Sequence, residues 1–183
     1  MRIQIDNAMV TKAFEKVCHD ESLAESKALH DAGLPVVEML QAMAMRPEIL
    51  ASFATFGNAV YPGGILDRPL KEKIILRASL QNECQFCTQS HISLMKHLEI
   101  SNNPVNSVLD SSLLTDREKI ALRYTEIVTG DSNRVTDEIF QELKLHFNDT
   151  EIVEITFLIG FINMLNRFNN ALDIKYRDDY EQM

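Results

Sequence analysis

Residues 70–91 read Leu70-Lys-Glu72-Lys-Ile-Ile-Leu-Arg77-Ala-Ser-Leu80-Gln-Asn82-Glu-Cys84-Gln-Phe86-Cys87-Thr-Gln-Ser-His91, and this stretch decides the fold. Its first half, Leu70 to Leu80, sets apolar Ile74, Ile75 and Ala78 against a face of Glu, Lys and Arg, the pattern of a helix. Its second half spaces Cys84, Cys87 and His91 by three and four residues, which on a helix gathers them within an arc of about 60°. Asn82 reads as the N-cap of that second helix, with Gln85 at the reciprocal N3 position. This register puts Cys84 in the first turn and Cys87 just beyond it.

Outward from this stretch the sequence reads as helices throughout. Leu34 to Met45 is rich in Leu, Met, Val, Ala and Gln, with Pro47 as its end or a new start. Pro47 to Val60 carries Ile49, Leu50, Phe53, Phe56 and Val60, and Tyr61-Pro62-Gly63-Gly64 stops it. Thr115-x-x-Glu118 is a capping box ahead of Ile120 to Val128. Thr136 to Phe147 places Ile139, Phe140, Leu143 and Phe147 on one side, and Asn148 or Asp149 then caps a long helix to about Leu172. Only Ile3 to Ile5 alternates like a strand, and it is too short to build on. The reading is a single all-α domain over residues 1–183 with a polar tail from about residue 173. The helix from Ile152 to Phe168 is apolar around much of its circumference, which suggests a subunit interface.

A formal net charge of −9 and 45% hydrophobic residues in 183 describe an acidic chain with material for a sizeable core. That charge argues against nucleic acid and against anionic membranes as partners, because phosphates demand clustered Lys and Arg. No secretory signal is visible, and the best apolar run, Ile155 to Leu165, is shorter than the roughly 20 residues of a membrane span. A cytoplasmic location is expected. Three cysteines without a spaced framework do not read as a disulfide-stapled secreted domain, so a pair in a reducing compartment needs a dynamic role.

Two thiols three residues apart can close a short disulfide and be reduced again, and a histidine one turn on can hold a proton. The positive helix end favours Cys84 as the nucleophile, whereas His91, at i+4, is better placed to take a proton from Cys87; the reach of the base carries more weight. A carboxylate that orients His91 could be Glu83, nearest in sequence, or Glu72. On one straight helix Glu72 would lie roughly 18 Å and about 120° away from Cys84, so it contributes only if the chain breaks near Gln81 and Asn82. Zinc held by Cys84, Cys87 and His91 lacks an evident fourth ligand. Haem attachment is excluded, because Thr88 stands where histidine would be required. The pair could also be passive core filling, and Cys18 beside His19 has no partner to single it out. No metal or cofactor is expected.

With these residues in place, the chain resembles the carboxymuconolactone decarboxylase and AhpD-like superfamily, in its alkylhydroperoxidase-related branch. The likeness rests on Glu72, Cys84, Cys87 and His91, on Met45-Arg-Pro47-Glu-Ile-Leu50, and on the Glu151 to Gly160 and Asn163 to Asn170 segments. It spans about residues 35–175. The resemblance implies an AhpD-like helical fold with the Cys-x-x-Cys at the start of a helix, assembled as homo-trimers or hexamers. It implies that Cys87 is the peroxidatic thiol, that Cys84 resolves it into a disulfide, and that His91 relays the proton, polarised by Glu72. Organic hydroperoxide would be the substrate, and a dithiol, a lipoylated protein or a peroxiredoxin the redox partner. Phe86 stands where the best-known member has histidine, which implies slower turnover or a different partner. A decarboxylase-like lyase and a non-catalytic or metal-binding assembly are the alternatives.

Overall fold

The computed structural model describes residues 1–17, 23–34 and 36–177, so Cys18, His19 and Pro35 lie outside it, as does the end of the polar tail. Helices α1 (Asn7–Lys16), α2 (Ala24–Asp31), α3 (Glu38–Ala44) and α4 (Pro47–Val60) come first. They are followed by α5 (Arg68–Gln81), α6 (Gln85–His97), α7 (Asn106–Leu109), α8 (Asp116–Asp131), α9 (Asp137–Lys144) and α10 (Asp149–Leu172). Among the described residues there is no strand, and the all-α reading holds. No helix among them is long and apolar enough to cross a membrane.

These elements group into two units, residues 1–64 with 172–183, and residues 65–171. In the first, α1 packs on α3 and α4. Asp6 starts α1 by accepting the N–H of Ala8 at 2.9 Å, and Val10, Ala13, Phe14 and Val17 form its buried stripe. Phe14 stacks on His30 of α2 with ring centroids 5.2 Å apart. The expected helix over residues 34–45 is shorter than read, because α3 begins only at Glu38, with Val37 outside the helical conformation at ψ 125°. Pro47 sits in the first turn of α4, where its missing N–H costs nothing.

The second unit is built around α5, which contacts α6, α7 and α8. Asp67 caps α5 through the N–H of Leu70 at 2.9 Å. Enclosure on nearly every side explains why α5 lacks a clean amphipathic stripe: Lys71, Glu72 and Lys73 are buried along with Leu70, Ile74, Ile75, Leu76 and Ala78. Buried charge is tolerated only when paired. Lys71 meets Glu154 of α10 at 2.6 Å, Lys73 meets Glu118 of α8 at 2.5 Å, and Glu72 is held as described below.

The capping box of α8 forms as read. Thr115 Oγ1 accepts the N–H of Glu118, and Glu118 Oε2 accepts the N–H of Thr115 at 2.8 Å. Asn148 and Glu151 repeat the device at the start of α10, at 3.0 and 2.9 Å. Ile139, Leu143 and Phe147 are buried on the side the spacing predicted. Along α10, Ile155, Leu158, Ile159 and Ile162 are buried while Val153, Phe157 and Met164 are exposed.

Candidate active site

The break that brings Glu72 towards the cysteines is a three-residue reversal after α5. The N–H of Glu83 bonds to the carbonyl of Leu80 at 3.2 Å, and the N–H of Cys84 bonds to that of Ser79 at 3.0 Å. This paired closure satisfies the last carbonyls of α5 and turns the chain out of it. Glu83 takes the left-handed conformation the motif requires, at φ 52°, in a place usually given to glycine.

The reversal corrects the expected register. Asn82 is the C-cap of α5, not the N-cap of α6. Cys84 takes the N-cap position, its Sγ accepting the N–H of Cys87 at 3.3 Å. Gln85 is therefore the first residue of α6 and Cys87 lies in its first turn. Both sulfurs sit at the positive end of the helix, where negative charge on sulfur is favoured. Cys84 and Cys87 are joined as a disulfide, with Cα atoms 5.4 Å apart.

One turn further along α6, His91 Nδ1 lies 2.6 Å from Glu72 Oε2. The other carboxylate oxygen of Glu72 accepts Arg68 Nε at 2.5 Å. A guanidinium can only donate, so the carboxylate is an acceptor on that side. The same carboxylate draws the imidazole proton onto Nδ1, and Nε2 is then the nitrogen that takes up or gives a proton. The Glu72 side chain is 0% exposed and that of His91 14%. Glu72 is thus the carboxylate that meets His91, rather than the Glu83 that is nearer in sequence.

The Asn163 to Asn170 segment, which in the sequence carried only family likeness, supplies asparagines that back the cysteines. Asn163, Asn166, Asn169 and Asn170 recur at helical spacing along α10. Asn82 Nδ2 donates to Asn163 Oδ1 at 2.8 Å and to Asn166 Oδ1 at 2.9 Å. Asn170 Nδ2 donates to the Asn82 carbonyl at 3.0 Å, and Asn166 Nδ2 to Ser79 Oγ at 3.1 Å. The α5–α6 turn is in this way clamped onto α10. Asn169 Nδ2 reaches the Cys87 sulfur itself, at 3.2 Å. A polar stripe at i, i+3, i+6 and i+7 on an otherwise apolar helix was the available signal. Arg68, four residues before Glu72, was likewise overlooked. Phe86, between the cysteines, is buried and carries no titratable proton.

Residues 47–126 match the Carboxymuconolactone decarboxylase family. YnjA of Escherichia coli (strain K12), itself uncharacterised, is 33% identical over 114 residues, covering 60% of this chain and 62% of that protein. The chain therefore spans less than two thirds of that relative. A crystal structure from Agrobacterium tumefaciens, of a protein of unknown function named for AhpD and antioxidant defence, is 31% identical. It superposes at a TM-score of 0.66 over 72% of this chain and 92% of that one. A peroxidase-related protein with an AhpD core from Ralstonia eutropha JMP134 superposes at 0.79 over 100% of this chain and 95% of that one. At 20% identity, that likeness is one of fold.

Proposed function

The chain belongs to the carboxymuconolactone decarboxylase and AhpD-like superfamily, and from that premise we propose that it is a thiol-dependent peroxidase reducing organic hydroperoxides through Cys84 and Cys87. The observation that carries this reading is the conjunction of a Cys84–Cys87 disulfide at the start of α6 with a buried Glu72 carboxylate that bridges Arg68 and His91. A passive pair of core cysteines has no use for a buried carboxylate that fixes the tautomer of a neighbouring histidine.

In the reduced protein, His91 Nε2 accepts the Cys87 thiol proton, directly or through water. The thiolate attacks the terminal peroxide oxygen and the O–O bond breaks. Cys87 becomes a sulfenic acid, and the alkoxide leaves as alcohol with the proton from His91. The Cys84 sulfur then attacks the Cys87 sulfur, and hydroxide departs as water with the Cys84 proton. An external dithiol supplies two electrons and two protons, opens the Cys84–Cys87 bond and itself becomes a disulfide.

The reductant is a small dithiol or a lipoylated protein, and a peroxiredoxin downstream is the adaptor version of the same exchange. The protein works as a homo-oligomer, a role supported by exposed Val153, Phe157 and Met164 along one side of α10. The test is hydroperoxide consumption driven by dihydrolipoamide. Turnover by the native chain, none by Cys87→Ser, and a Cys84→Ser protein stalled about 16 Da heavier as the sulfenic acid establish the roles. Equal turnover by native protein and Cys87→Ser would overturn them.

A further inference from the structure

The two sulfurs of the redox pair have different hydrogen-bond donors. Cys84 Sγ takes the backbone N–H of Cys87, a donor that comes with the helix and that no side-chain substitution removes. Cys87 Sγ takes the side-chain amide of Asn169, from a helix 82 residues further along the chain. A disulfide sulfur carries no proton and can only accept, so it is the NH₂ end of Asn169 that faces it. Asn169 is 1% exposed and Cys87 3%, so water does not readily replace either group for the other. The bonds from Asn82 and Asn170 fix the same stretch of α10 against the turn that carries the cysteines.

We propose that Asn169 is a catalytic residue of the thiol pair: its amide holds the negative charge of Cys87 in the reduced protein and so makes Cys87, rather than Cys84, the reactive sulfur. The proposal rests on the thiol pair cycling, as in the peroxidase reading, but not on the substrate being a peroxide. Reduction by an external dithiol gives two electrons to the Cys84–Cys87 bond. The products are the oxidised dithiol, one cysteine thiol, one cysteine thiolate and a proton. An N–H that donates weakly to a neutral disulfide donates far more strongly to the thiolate, because the acceptor now bears full charge and the site is dry. The amide therefore favours the reduced state over the disulfide and Cys87 over Cys84 as the site of charge. A donor lost from such a site is worth about ten- to hundredfold in an equilibrium.

The experiment compares reduced native protein with Asn169→Leu, which keeps the approximate size without the donor, and with Asn169→Asp, which opposes the thiolate with a carboxylate. Each is alkylated with iodoacetamide between pH 5 and 10 in brief pulses, and the two cysteines are read separately by peptide mass. Cys87 in Asn169→Leu is expected to react about tenfold more slowly near pH 7, with its midpoint moved up by about one unit and further in Asn169→Asp. Cys84 stays within about twofold. Equilibration with dihydrolipoamide shifts towards the disulfide by the same factor, about 30 mV per tenfold. Equal acceleration of both cysteines would mean that Asn169 only holds the packing, and no change in either would mean that it does not support the charge. If the variants do not fold, the Asn169 side-chain amide resonance of the native protein is followed through the Cys87 titration. A downfield move with thiolate formation upholds the assignment, and a flat trace overturns it. Loss of peroxidase activity alone bears on the substrate, since neither readout contains a peroxide.

Discussion

Replacing Glu72 by glutamine changes one atom and, through it, the tautomer of His91. Glu72 now bridges Arg68 at 2.5 Å and His91 at 2.6 Å, accepting from both. Glutamine has one oxygen, and the Arg68 guanidinium, which only donates, claims it. The amide NH₂ then faces His91 Nδ1, which must accept. The ring proton moves to Nε2 and the basic nitrogen is spent on the wrong side. The same logic in a serine–histidine–aspartate triad removes about four orders of magnitude. A thiol is far more acidic than a serine hydroxyl and needs the base less, so the loss here is smaller. A charge-assisted bond lost from a buried site is worth about 1.5–3 kcal/mol, or about ten- to hundredfold in rate. The fold survives, because Gln fills the same space and every polar atom keeps a partner. The assay is alkylation of reduced Cys87 against pH, with unfolding followed in parallel by circular dichroism. The defect is expected to be largest below pH 7.5 and to fade above about pH 9, where a thiol ionises without help. A Glu72→Gln protein that reacts at the native rate near pH 6.5, or with a defect that persists undiminished to pH 10, would refute the relay.

Other predictions follow from the packing. Burial is the largest influence on Glu154 and raises its carboxyl, but Lys71 and the N–H groups of Ile65 and Leu66 together outweigh it and hold the carboxyl below the usual carboxylate range. Its folded pKa is therefore lower than its unfolded one, so its contribution is complete above the ordinary carboxylate range and is lost as pH falls through the lowered value. Glu154→Gln accordingly flattens the fall of Tm between pH 6 and 3, and a native-like slope in that variant would count against the assignment. Glu83→Val places a β-branched residue at φ 52° and costs about 1–2 kcal/mol, whereas Glu83→Gly is close to neutral; urea midpoints give the comparison. Phe157→Glu puts a charge in the exposed apolar stripe of α10 and is expected to lower the oligomer order in light scattering without shifting the circular dichroism.

What the sequence discloses and what it hides divide along local and distant contacts. The α8 capping box, the stop after Val60 and the pairing of Cys84 with Cys87 are set by residues within a turn or two of each other. Such relations survive in one dimension. The α5–α6 break is local as well and falls at Gln81 and Asn82 as expected, but α6 starts two residues later than read: Glu83 rather than glycine takes the left-handed turn, and an asparagine at a C-cap looks the same as one at an N-cap. Glu72 could be chosen over Glu83 only by resemblance, because its position depends on how that break folds back. The asparagine clamp was out of reach for a different reason. Its bonds join residues more than 80 positions apart, and nothing in Asn163 to Asn170 says which neighbour each amide will meet. The burial of Lys71 and Lys73 is likewise settled at a distance, by Glu154 and Glu118 brought up to them.

The most direct measurement is a thiol count and intact mass on the reduced protein, before and after one equivalent of cumene hydroperoxide and then dihydrolipoamide. Peroxidase chemistry at Cys84 and Cys87 requires prompt loss of two thiols, a mass lower by about 2 Da, and full recovery with the dithiol. Thiols that persist through the peroxide step in native protein would contradict it.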